Sequence, residues 1–90
     1  MAAKFDYEKS GQFLKALAHP VRLKIVLRLI NRQDCNVNTL ALYFKLPQST
    51  ISQHLAVLKN KEIVTFYKSG VRACYRVVDE RARAIIDLLR

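Results

Sequence analysis

Through most of this chain apolar residues recur at spacings of three and four. The pattern is sharpest from Pro47 to Asn60, where Ile51, Leu55 and Leu58 form one helical stripe. The residues left over, Gln48, Ser49, Ser52, Gln53, Ala56 and Lys59, fall on other faces and are mostly uncharged amides and hydroxyls. Pro47 suits the first helical turn, where a missing N–H costs nothing. Three further helices are expected upstream. The first runs from Phe5 to Leu17, with Phe13, Leu14 and Leu17 on one stripe, Asp6 as N-cap and Glu8 favourably placed against the helix dipole. Ala18, His19 and Pro20 interrupt it. The second then runs from about Pro20 to Ile30, with Val21, Ile25 and Leu29 on one line and Leu23, Val26, Leu27 and Ile30 filling the others. That leaves Arg22, Lys24 and Arg28 for the surface. After the polar break Asn31–Asn36, a short third helix over Val37–Phe44 turns Leu40, Ala41 and Phe44 inward.

Past Asn60 the period changes from 3.6 to 2. Ile63–Lys68 and Val71–Val78 are rich in β-branched and aromatic residues and predict a hairpin turning at Ser69-Gly70. On its second strand Val71, Ala73, Tyr75 and Val77 share one face, and Arg72, Cys74 and Arg76 the other. Asp79 or Glu80 caps a final helix to Leu89, apolar at Ala82, Ile85, Ile86 and Leu89. The predicted chain is mainly α with a small β-hairpin, in the order α-α-α-α-β-β-α, and residues 1–90 form a single domain.

Only Lys45 and Leu46 separate the third helix from Pro47, so the third and fourth helices form a helix-turn-helix and the hairpin is a wing beside it. The tight turn favours φ above zero at Lys45, at a cost of roughly 1 kcal/mol for a non-glycine residue. The uncharged polar face of the fourth helix suits base edges, although a merely hydrated amphipathic helix gives the same pattern. Lys68 and Arg72 flank the hairpin tip, where they either grip phosphates or protect a solvated two-stranded edge. Gln53 is the best candidate for bidentate pairing with adenine. The two terminal helices carry more apolar surface than one core of this size covers, which suggests packing against a second copy. Two reading helices would then lie about 34 Å apart on a palindromic site.

Charge sharpens the choice of partner. Sixteen Lys and Arg against seven Asp and Glu give a formal charge of +9, which favours phosphate polyanions. A 51% hydrophobic composition argues against disorder, and no apolar run is long enough to cross a bilayer. No helix combines a Lys-rich face with bulky exposed aromatics, which disfavours a membrane-surface role. The N-terminus lacks a secretory signal pattern, so the cytoplasm is the expected compartment. Enzymatic chemistry has little to stand on. Ser52 and His54, two apart on a helix, do not face each other, and neither a Gly-rich phosphate loop nor a pair of cleft carboxylates is evident. A cofactor is not expected. The competing reading from another class is a winged-helix protein-interaction module, which would favour acidic or apolar residues on the Gln48–Lys59 face.

Two segments carry a resemblance to a known family. Leu-Ala-His-Pro-Val-Arg-Leu-Lys-Ile-Val-Leu at 17–27 resembles the entry to the second helix of the ArsR/SmtB family of small bacterial repressors. Leu-Pro-Gln-Ser-Thr-Ile-Ser-Gln-His-Leu at 46–55 resembles its reading helix. Lys-Asn-Lys-Glu-Ile-Val before the wing and Lys-Ser-Gly-Val-Arg-Ala-Cys-Tyr-Arg-Val within it extend the match over nearly the whole chain. The resemblance implies a homodimer built from the helices Phe5–Leu17 and Glu80–Leu89 that binds double-stranded operator DNA, usually with release by an inducer. By position it implies that Gln48, Ser49, Thr50, Ser52, Gln53 and His54 face DNA, with Lys59, Lys68 and Arg72 near phosphates. The alternative for His54 is packing beside Leu55. His19 reads better as part of the Pro20 helix start than as a ligand.

Many relatives sense metals, and this sequence departs from both of their patterns. In place of Cys-x-Cys it has Asp34-Cys35-Asn36-Val37-Asn38, and its last helix contains no His. No metal site is expected; a site built from Cys35, Asp34 and a second chain is the residual alternative. A thiol switch between Cys35 and Cys74 is a separate reading. It competes with the ordinary role of a cytosolic cysteine as a small buried apolar residue, and with a repressor that takes no input through this chain.

Overall fold

The computed structural model describes residues 4–32 and 36–90. Its elements follow the order α1 (Tyr7–Leu17), α2 (Pro20–Asn31), α3 (Val37–Phe44), α4 (Gln48–Asn60), β1 (Val64–Ser69), β2 (Arg72–Val77) and α5 (Glu80–Leu89). This is a winged helix-turn-helix. Side-chain oxygens or a ring nitrogen cap four of the five helices, as the sequence chemistry requires. Asp6 accepts from Lys9 N–H, His19 Nδ1 from Val21 N–H, Asn36 from Thr39 N–H, and Asp79 from both Arg81 and Ala82 N–H. Because Asp6 is the cap, α1 begins two residues later than the Phe5 start predicted.

The core draws on every element. Ile25 and Val26 of α2, Leu40 of α3, Ile51, Leu55 and Leu58 of α4, Ile63, and Ala82 of α5 are fully buried. Cys74 and Val77 of β2 and Ile86 of α5 join them. Leu14 departs from its predicted stripe. It is 52% exposed, and Ala16 takes its place in the core beside Phe13 and Leu17. Leu89, on the apolar face expected of the last helix, is 67% exposed, and Leu88 is more so. Arg22 and Arg28 are half-buried rather than at the surface, and the Arg28 guanidinium lies 3.6 Å from the centroid of the Tyr43 ring, where cation–π attraction offsets lost hydration.

Two tight joints position α4. At the α3–α4 turn Lys45 adopts φ 57° and ψ 46°, the left-handed conformation expected from sequence, and Leu46 N–H closes the turn onto Ala41 O at 3.0 Å. At the α4–β1 joint Glu62, with φ 59°, does the same work unannounced by any glycine. There Ile63 N–H returns to Leu58 O and Glu62 N–H to Lys59 O, a Schellman closure that buries Ile63 against Leu58. Lys45→Gly is expected to stabilise the protein by about 0.5 kcal/mol. Relief of about 1–2 kcal/mol of left-handed strain outweighs about 0.4–1 kcal/mol of added unfolded-chain entropy. A lower denaturation midpoint for this variant would show that the Lys45 side chain makes a contribution larger than its strain.

Candidate nucleic-acid interface

α4 is held by one face and open on another. Ile51, Leu55 and Leu58 are 0% exposed, whereas Gln48, Ser49, Ser52, Gln53, Ala56 and Lys59 are all exposed. At 3.6 residues per turn these six side chains fall within about 140° of helix rotation, a width that fits into a groove. Pro47 is the N-cap rather than the first helical residue, and it offers no side chain to the first-turn amides. The positive end of α4 is therefore available to an anion. Gln48 does not project freely. Its Nε2 donates to Oδ1 of Asn38 on α3 at 2.9 Å.

Thr50 and His54 lie on the flank of that face and are half-buried. The His54 ring packs against His19, centroids 4.5 Å apart and planes inclined by 47°. Burial, reinforced by the nearby charge of His19 and then of Arg22, lowers the His54 pKa from its ordinary 6.5. The sign follows from linkage. The folded state holds the proton less tightly than the unfolded chain, so this contribution to stability is complete above 6.5 and is lost as pH falls through the lowered folded value. The denaturation midpoint is expected to drop between about pH 7.5 and about pH 5.5, and His54→Gln to reduce that drop. An unchanged pH profile in His54→Gln would remove His54 as its source.

The wing carries the predicted cations in an arrangement the sequence did not specify. Strand pairing runs from Val64↔Val77 to Ser69↔Arg72, which leaves Gly70 and Val71 as the two-residue turn. Ser69 ends β1 instead of occupying the turn, and Val71 sits at the tip instead of starting β2. Gly70 has φ 64° while Val71 does not have positive φ, the requirement of a II′ hairpin turn. Lys68 shares the face of Phe66 and Tyr75, whose rings meet edge to face at 5.6 Å. Arg72 lies on the opposite face, so the two cations straddle the hairpin. Lys59, Lys68 and Arg72 are all exposed.

Cys74 shares its strand face with Arg72 and Arg76, yet it is buried while both arginines are exposed. β2 packs on α2, and Cys74 takes the buried place on this face while Arg76 toward the hairpin base and Arg72 toward its tip stay in solvent. Cys35 lies outside the described residues. Among the described residues no cluster of three or more His, Cys, Asp or Glu is arranged to hold a metal. Among the same residues no helix is long and apolar enough to cross a membrane. The residue that sequence reasoning missed is Asn38. Its type and its place at the start of α3 were visible, but its partner across the turn was not.

Comparison with known proteins follows the same lines. The family model described as bacterial regulatory protein, arsR family, matches residues 19–65. The transcriptional repressor PagR of Bacillus anthracis is 38% identical over 89 residues, covering 96% of this chain and 89% of that protein. Its crystal structure aligns with a TM-score of 0.83 at 37% identity, over 92% of this chain and 94% of that one. The repressor SmtB of Mycobacterium tuberculosis is 40% identical over 79 residues, which are 88% of this chain but 58% of that protein. A solution structure of a homodimeric winged helix-turn-helix DNA-binding domain from Mycobacterium bovis aligns with a TM-score of 0.80 at 26% identity, over 99% of this chain and 86% of that one.

Proposed function

The chain belongs to the bacterial ArsR family of regulatory proteins, and on that premise we propose that it is a homodimeric repressor that reads a palindromic operator through α4 and grips the DNA backbone with the β1–β2 wing. As a member of that family it is a transcription regulator and not an enzyme. The observation that carries the reading is the exposed arc of Gln48, Ser49, Ser52 and Gln53 on a helix whose opposite stripe is wholly buried. A rigid helix with short hydrogen-bonding side chains matches the donors and acceptors of a major groove. The same arc offers neither the apolar anchors nor the acidic residues that a protein-binding helix would use. Thr50 and His54 support the arc from its flank, with Thr50 the nearer to the groove. Lys59 beyond it, and Lys68 and Arg72 across the wing, supply sequence-independent contacts to phosphate.

Dimerisation through α1 and α5 is supported by apolar side chains that the monomer leaves in water. Leu14 of α1 and Leu88 and Leu89 of α5 are more than half exposed, as is Tyr7. Leu89 also lines an apolar groove with Leu23, Leu27 and Ile86 between α2 and α5. A second copy covering these surfaces removes that apolar area from water. The protein so assembled acts on double-stranded DNA in the cytoplasm.

The test is selection of binding sites from a random duplex library by the reduced protein near physiological salt. The expected product is an AT-rich or mixed palindrome with half-site centres roughly 10 bp apart. Recovery of no consensus would overturn operator reading in favour of a protein-interaction role. Repeating the binding after oxidation reads out a thiol input from Cys35 and Cys74. Unaltered affinity would reduce Cys74 to a core residue.

A further inference from the structure

We infer that Asn38, which lies on α3 outside the reading helix, determines specificity by positioning Gln48 so that its amide presents a donor and an acceptor to the edge of an adenine. This rests on the operator-reading role proposed for α4. Asn38 is the second residue of α3 and Gln48 the first of α4. The 2.9 Å bond from Gln48 Nε2 to Asn38 Oδ1 therefore clamps the starts of the two helices to each other across the Lys45–Pro47 turn.

The chemistry of the clamp is directional. A glutamine alone on a helix surface rotates about its side-chain torsions and can exchange its oxygen and nitrogen by a half-turn of the amide, so it pairs with more than one base edge. A carboxamide oxygen accepts hydrogen bonds and does not donate them. In the observed arrangement Asn38 Oδ1 is the acceptor, which holds Nε2 on its own side and sets the amide plane. The second Nε2 hydrogen and Oε1 remain side by side in that plane. This is the complement of adenine N7 and N6, an acceptor beside a donor. The rotamer freedom that Gln48 would otherwise lose at the base is already given up in the free protein, so the correct sequence benefits from the preorganisation. Both side chains are exposed, and water competes for the bond; the effect is correspondingly moderate.

The experiment uses the full chain, the selected operator and a set of duplexes in which each base pair of the half-site is changed in turn. Asn38→Ala is expected to lower discrimination at one A·T pair of each half-site by about fivefold, leaving the other pairs, the affinity for unrelated duplex and the salt slope unchanged. Gln48→Ala should lose preference at the same pair, and adding Asn38→Ala to it should remove no more there. Asn38→Asp preserves the accepting oxygen and introduces a negative charge. It should preserve discrimination at that pair while weakening every duplex alike. The inference is overturned if Asn38→Ala changes preference at no pair, or weakens all pairs equally, or if Asn38→Asp loses the preference that Asn38→Ala loses. A wild-type protein that binds with no sequence preference at all would instead overturn operator reading itself. Because Asn38 is exposed in the first turn of a helix, alanine there is compatible with the fold, and the melting temperature of Asn38→Ala should match the wild type within about 2 °C.

Discussion

Leu55→Ala is expected to destabilise the protein by about 2–5 kcal/mol, the range for removing a fully buried leucine and leaving a cavity behind. Leu55 is 0% exposed at the middle of the α4 stripe, flanked by Ile51 and Leu58, which are equally buried. The stripe seats α4 on the core along most of its length, and the opposite arc meets solvent. A chain of this size has a total stability of about 5–15 kcal/mol, so the loss is a large fraction of it. The melting temperature should fall by more than about 8 °C at matched protein concentration. DNA binding should weaken on every sequence, since the whole helix loses its seat. Ser52→Ala, one turn away on the exposed arc, should change stability by less than about 0.5 kcal/mol. A loss below about 1 kcal/mol for Leu55→Ala would contradict the burial on which the position of the interface depends.

Gln53→Ala has the second large effect, and it is one of discrimination. If Gln53 pairs with a base, its removal lowers affinity for the selected operator by about 1–3 kcal/mol per contact, roughly fivefold to 150-fold. Nonspecific binding and its dependence on salt should stay nearly unchanged. Arg72→Ala makes the contrast. Removal of an exposed cation at the wing tip should weaken all duplexes and reduce the salt slope by about one. Equal loss on every sequence for Gln53→Ala would move base reading to another residue, with Gln48 the first to examine. The pair of variants separates contacts that choose a sequence from contacts that hold any duplex, which a single affinity measurement does not do.

The amino-acid sequence by itself determined the elements and their order. The period of three and four in Pro47–Asn60 and the period of two after Asn60 are local properties, and so are the caps at Asp6, Asn36 and Asp79. Even the left-handed turn at Lys45 followed from the two-residue spacing of its flanking helices. The same local information marked the polar arc of α4, because a helix has one geometry wherever it is placed. Tertiary structure decided what that information does not contain. Leu14 and Ala16 are both apolar, and only the approach of α1 to the core selects the smaller one. Cys74 and Arg76 alternate identically along β2, and only the seat of the hairpin on α2 buries the first and exposes the second. Ser69 and Gly70 both suit turns, and the strand register chose Gly70-Val71. His54 turned toward His19, and Asn38 met Gln48, across distances of 35 and 10 residues. Contacts of that kind arise from the packing of whole helices, whose relative placement minimises exposed apolar area over the entire chain, and no window of local sequence encodes them.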